Sequence, residues 1–144
     1  VSLVEEKITK KTKAIVPVHF TGYMTFMPKL MKLAKKYQLS IVEDACQSIL
    51  GEINNKKAGS WGNYGAFSLH PLKNINVWSD GGIITTNNKK NYEHLILLRN
   101  HGLKDRDTVE INGYNSRLDT FQAVVGNWLL PKAKKIANQR IDKT

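Results

Sequence analysis

Residues 13–43 read KAIVPVHFTGYMTFMPKLMKLAKKYQLSIVE, and their periodicities decide the fold. KAIVPV at 13–18 is a short apolar run with the look of a buried strand. Thr21-Gly22 marks a turn. Across 25–38, Phe26, Leu30, Leu33, Ala34 and Tyr37 recur at helical spacing with lysines on the opposite face, and Pro28 suits a first helical turn. SIVE at 40–43 is a second buried strand. A strand, a helix and a strand within about thirty residues predict a right-handed parallel βαβ unit.

Working outward, DACQSILGEINNKKAGSWGNYG (44–65) is rich in Gly and Asn and reads as loop, with a short hairpin at Asn54-Asn55. YGAFSL (64–69) and GIITT (82–86) are further strand candidates. Residues 88–100 predict a helix capped by Asn88 and ended by His101-Gly102. Residues 103–115 read as polar loop. Residues 116–140 predict one long helix, started by Ser116 with Asp119 and bent at Pro131, with Leu118, Phe121, Val124, Val125 and Leu129 as its apolar stripe. The expected class is α/β with a mostly parallel sheet and flanking helices. The chain starts at Val1 rather than Met and ends at Thr144 within a helical pattern, which predicts a piece of something longer.

Composition narrows the function. No apolar run reaches the roughly 18 residues of a membrane-spanning helix, and the first residues carry no signal-peptide pattern. The single cysteine, Cys46, excludes an internal disulfide framework and a Cys-rich metal site, so no metal is expected and a cytoplasmic protein is. The net charge of +10 raises nucleic acid as a partner, but the lysines fall in scattered pairs and only Arg99, Arg106, Arg117 and Arg140 could read phosphates bidentately. A solvated basic surface is the expectation, with a phosphate- or nucleic-acid-binding domain the lesser alternative.

In open parallel sheets, ligands sit beyond the carboxyl ends of the strands. Asp44 follows one strand, Ser68 closes another, and Lys73 follows in FSLHPLKNINVWSDGG (67–82). A lysine in a turn between two buried segments is solvated, paired or reactive. Partly desolvated, its amine is a nucleophile toward carbonyls and a Schiff-base candidate. A strand-end carboxylate suits a pyridine nitrogen, and a hydroxyl with free backbone N–H groups suits a phosphate. Together they describe a pyridoxal phosphate (PLP) pocket. Each also has an ordinary reading: Lys73 as a surface residue, Asp44 as a helix cap, Ser68 as a turn residue, Cys46 as a small buried hydrophobe, and His19 and His70 as packed structural histidines.

TKAIVPVHFTG (12–22), IVEDACQS (41–48), GSWGNYGAFSLHPLKN (59–74), SDGGIITTN (79–87), LLRNHGL (97–103) and GYNSRLDTFQA (113–123) resemble, in order and spacing, the DegT/DnrJ/EryC1/StrS family of PLP-dependent aminotransferases. The resemblance implies the aspartate-aminotransferase fold (fold type I), with residues 1–144 the central and later part of the PLP-binding large domain. It implies Lys73 as the cofactor-linking and proton-shuttling lysine, Asp44 at the pyridine nitrogen and Gln47 near the phenolic oxygen. It further implies Cys46 against the ring, Ser68 at the phosphate, and Asn115 reaching the phosphate of a neighbouring subunit in a homodimer. A dehydratase subgroup has histidine at the position of Lys73; lysine here implies transamination, from glutamate to a nucleotide-linked keto sugar, in cell-envelope polysaccharide synthesis. Family chains are much longer, so the alternative is a non-catalytic fragment or assembly module of the same fold.

Overall fold

A short helix α1 (Ser2–Glu5) leads to strand β1 (Ala14–Ile15) and a single 3-10 turn (Phe20–Gly22). Helix α2 (Met27–Tyr37), strand β2 (Ser40–Asp44), the small strands β3 (Glu52–Ile53) and β4 (Lys56–Lys57), and strands β5 (Tyr64–Ser68) and β6 (Gly82–Thr85) follow. Helices α3 (Lys89–Leu98), α4 (Thr120–Leu129) and α5 (Ala133–Ile141) complete the chain. This computed structural model describes residues 1–143; Thr144 lies outside the described residues.

The four-stranded sheet has the order β1-β2-β5-β6. β1 and β2 are parallel with Ala14 opposite Ser40, as the βαβ pattern requires. β2 and β5 are parallel with Asp44 opposite Ala66, whereas β6 returns antiparallel with Ser68 opposite Gly82. The sheet is therefore mostly parallel, with an antiparallel edge. The hairpin of β3 and β4 turns at Asn54 and Asn55, both at positive φ (52° and 60°), the backbone that a tight two-residue hairpin needs.

Helix α2 buries Met27, Leu30, Leu33 and Ala34 against Ile41 and Ala45, while Phe26 and Tyr37, expected on the apolar face, stay exposed. The stripe keeps Leu30, Leu33 and Ala34, while Met27, fully buried, takes the place expected of Phe26 at its N-terminal end. Asn88 caps α3 by accepting from the Asn91 N–H.

The C-terminal helix differs from expectation. It begins at Thr120, capped by Asp119, whose carboxylate accepts from the Phe121 N–H while the Gln122 side chain accepts from the Asp119 N–H. Ser116 is not its start: its N–H is held by the Arg99 carbonyl in an extended segment. Pro131, lacking an N–H, breaks the helix into α4, a 3-10 turn at Leu130–Lys132, and α5. Leu129 and Ala133 pack with Leu69, Ile75 and Val77, and Val125 is buried, leaving Phe121 and Val124 exposed.

Strand alternation puts Ile41 and Glu43 on one face of β2, and both are buried, Glu43 completely. Four donors meet the Glu43 carboxylate. Oε1 accepts from the N–H groups of Trp61 (2.7 Å) and Gly62 (2.8 Å); Oε2 accepts from the Gly59 N–H (2.9 Å) and His19 Nε2 (3.0 Å). The Thr25 N–H donates to His19 Nδ1, so the imidazole proton sits on Nε2 and points at the carboxylate. The 59–62 loop lies close enough that a Cβ on Gly65 would sit 2.3 Å from the Gly59 Cα, so glycine is required there.

Glu43→Gln keeps the shape but turns an amide N–H₂ or a single carbonyl toward donors that now have too few acceptors. The substitution is expected to lower stability by about 3 kcal/mol, read as a fall in the urea midpoint followed by circular dichroism. An unchanged midpoint would show that the buried carboxylate is not what holds the loop.

Candidate active site

The carboxyl ends of β2 and β5 open onto a cavity of about 330 Å³ lined by Thr21, Cys46, Gln47, Ser68, Lys73 and Asn74, with Ala45, Phe67 and Ile75 among its apolar walls. Four of the residues singled out from sequence, Cys46, Gln47, Ser68 and Lys73, thus share one space.

Asp44 ends β2 just behind that lining. Its backbone is fixed on both sides: its N–H donates to the Pro17 carbonyl (2.9 Å), its carbonyl accepts from the His19 N–H (3.0 Å), and the next residue bonds to Ala66 of β5. Its side-chain Oδ1 accepts from the Cys46 N–H at 3.1 Å, a local turn typical of Asp after a strand. This bond aims the chain from the strand end into the cavity wall.

Lys73 owes its place to a β-turn. Its N–H donates to the His70 carbonyl at 2.8 Å, with Pro71 in the second position, which proline's fixed φ favours. The turn is stiffened by the Leu72 N–H donating to His70 Nδ1 and the His70 N–H donating to Ser68 Oγ. On either side, Leu69 and Ile75 are 1% exposed, and the Val77 N–H reaches back to the Leu69 carbonyl. The half-buried lysine is therefore held at the cavity between two anchored core residues. His70 serves as a turn-forming histidine and His19 as a packed one, their ordinary readings.

Cys46 lies under the influence of both charged groups. Burial pushes its thiol up, and the Asp44 carboxylate adds to that, while the Lys73 ammonium acts in the opposite sense. The thiol also faces the Ala66 carbonyl. At neutral pH Cys46 is a protonated, compact wall rather than a nucleophile.

Asn115 stands apart from this cavity. It is exposed, forms an antiparallel bridge to Asn100, and accepts from Arg117 Nε at 3.3 Å. Two contributors escape the sequence reading. Glu43 was signalled by an acid on the same strand face as Ile41. Thr21, whose N–H donates to Gln47 Oε1 at 2.8 Å, has a backbone conformation that carries no sequence signal.

The donor set fits PLP: an amine for the aldehyde, a hydroxyl for the phosphate, an amide for a ring oxygen, and small walls for a flat ring. Among the described residues, no cluster of His, Cys, Asp or Glu suits a metal ion, and no helix is long and apolar enough to cross a membrane.

The chain belongs to the DegT/DnrJ/EryC1/StrS aminotransferase family, which it matches over residues 1–144. It is 43% identical over 122 residues to the UDP-N-acetyl-3-dehydro-alpha-D-glucosamine 3-aminotransferase of Acidithiobacillus ferrooxidans, covering 85% of this chain and 33% of that protein. It is 40% identical over 123 residues to the dTDP-3-amino-3,4,6-trideoxy-alpha-D-glucose transaminase of Streptomyces venezuelae, covering 85% of this chain and 32% of that protein. Among solved structures it superposes on NtdA of Bacillus subtilis with bound PMP, at TM-score 0.78 and 35% identity, over 85% of this chain and 28% of that one. The chain spans about a third of the length of the curated relatives it matches.

The protonated state of Cys46 has a direct readout. Its alkylation by iodoacetamide at neutral pH is expected to be severalfold slower than that of free cysteine, and to rise toward the free rate only as pH is raised, since a raised thiol pKa means less thiolate at a given pH. Alkylation faster than free cysteine would place Lys73, not Asp44 and burial, in control of the sulfur.

Proposed function

We propose that this chain is the central and later part of the PLP-binding large domain of an aminotransferase, and that it carries the chemical groups of the transamination site. The observation that carries this reading is the convergence of Gln47, Cys46, Ser68 and Lys73 on one cavity at the carboxyl ends of two parallel strands, with Asp44 ending one of them. PLP, when bound, supplies an electron sink for the carbon that gains or loses the amino group.

The roles follow from the residues. Lys73 would hold the cofactor through its amine, and the same amine, kept at the cavity by its turn, would move the proton at the reacting carbon. Asp44, with its backbone locked between β1 and β5, holds a negative charge for the pyridinium N–H. Ser68, through its hydroxyl, would bind the phosphate. Gln47 orients the ring from its oxygen edge, and Cys46 packs against it.

Glutamate as amino donor and a nucleotide-linked keto sugar as acceptor are the substrates we propose, in a cytoplasmic ping-pong cycle. Lys73, where a dehydratase would have histidine, supports transfer over dehydration. Two relatives similar over this same stretch are named for different sugar nucleotides, which supports placing cofactor chemistry here and sugar selection elsewhere. Asn115, exposed beside Arg117 and away from the chain's own cavity, is free to serve a second subunit's phosphate in a homodimer.

Mixing the chain with PLP, reducing with borohydride and mapping peptides by mass spectrometry tests the assignment. A single pyridoxyl adduct on Lys73 is expected. Lys73→Ala should remove it with an unchanged circular dichroism spectrum, and Asp44→Ala should weaken PLP binding by about tenfold or more. Adducts scattered over surface lysines would overturn the reading.

A further inference from the structure

Thr21 occupies the left-handed region, with φ 54° and ψ 23°, a conformation that a β-branched residue rarely adopts. Such strain persists only where the surroundings over-determine it. Here they do. The Thr21 hydroxyl donates to the Phe20 carbonyl (2.7 Å), and the Tyr23 N–H donates to the same oxygen (2.9 Å). The hydroxyl of the buried Ser48 donates to the Gly22 carbonyl (3.2 Å), and the Thr25 hydroxyl donates to the Val18 carbonyl (3.1 Å). The turn is thus pinned onto the segment that follows β2, and the product of that pinning is one bond across the cavity wall: Thr21 N–H to Gln47 Oε1 at 2.8 Å.

A backbone N–H can only donate, so the Gln47 atom it meets is the carbonyl oxygen. The amide is thereby fixed in one of its two orientations, and both hydrogens of Nε2 are left for whatever occupies the cavity that Thr21 and Gln47 line together.

We propose that Thr21 is a positioning residue: through its strained backbone N–H it locks Gln47 as a hydrogen-bond donor, so that the site accepts a ligand oxygen with lone pairs at that point and disfavours one that presents a hydrogen. The inference rests on the cavity being the PLP site, where the ring oxygen is such an acceptor. It assigns the contact with Gln47 to the main chain of Thr21, whose hydroxyl helps hold the turn.

A double-mutant cycle separates positioning from simple structural support. Thr21 is replaced by its α-hydroxy analogue, which exchanges the N–H for an ester oxygen, in the native chain and in Gln47→Met. PLP affinity and the pH dependence of the bound cofactor's visible absorption band are measured in all four proteins. The ester is expected to weaken PLP binding about tenfold in the native background and less than about twofold in the Gln47→Met background. The absorption midpoint should move to higher pH only where Gln47 is present, because the deprotonated ring oxygen loses its donor.

Equal losses in both backgrounds, or no loss in either, would each overturn the proposal. In the cofactor-free chain, the Thr21 amide proton resonance should shift upfield in Gln47→Met; an unmoved resonance overturns the clamp by itself. If the native chain binds no PLP, the functional reading falls, while the resonance still decides whether the clamp exists.

Discussion

Glu43 is the constraint on which the site depends. A carboxylate with no solvent exposure persists only if its charge is met by donors, and here three backbone N–H groups and one imidazole meet it. Those donors come from two different parts of the chain. His19 ties in the segment leaving β1, whose next turn carries Thr21. Gly59, Trp61 and Gly62 tie in the loop entering β5, whose far end carries Ser68. One buried side chain therefore sets the relation between both strands that flank β2. Asp44, its immediate neighbour, points from the opposite strand face.

The division of labour along β2 follows from the period of a strand. Successive side chains alternate, so one acid can be sealed in the core as a tie while the next stands at the sheet's carboxyl end. The seal makes the open position accurate: Asp44 is bonded through its N–H and carbonyl on the β1 side and faces Ala66 on the β5 side. Antiparallel β6 brings the chain back along Ser68 without a crossover helix, so the Lys73 turn can be short and anchored by Leu69 and Ile75.

Much of this was legible in the sequence, and the exceptions have physical reasons. The βαβ unit was readable because its two periodicities differ and Pro28 marks the helix start. The Asn54-Asn55 turn and the Asn88 cap were readable because side-chain chemistry dictates their backbones. The start of α4 was misplaced because Ser116 and Asp119 are both good caps, and the choice fell to tertiary bonding: the Arg99 carbonyl holds Ser116 in an extended segment. Phe121 and Val124 fitted the helical period but stayed exposed, because the helix turns Leu129 and Ala133 to the Leu69 and Val77 cluster. Lys73 and Asp44 stood out by chemistry at strand ends. Thr21 did not, since its contribution lies in a dihedral angle and a main-chain donor.

Cys46 stands in the cavity wall within the influence of both Lys73, which lines the cavity, and Asp44, which lies behind it. An opposite charge close to an amine favours its protonated form, and a protonated amine is no nucleophile. Among the described residues no ion pair joins Asp44 to Lys73, although both act on the Cys46 thiol from opposite senses. The Asp44 carboxylate is engaged by the Cys46 N–H, and Lys73 is held by its own turn rather than by a counter-ion. Cys46 thus gives the cavity wall a compact, neutral side chain within the influence of both groups.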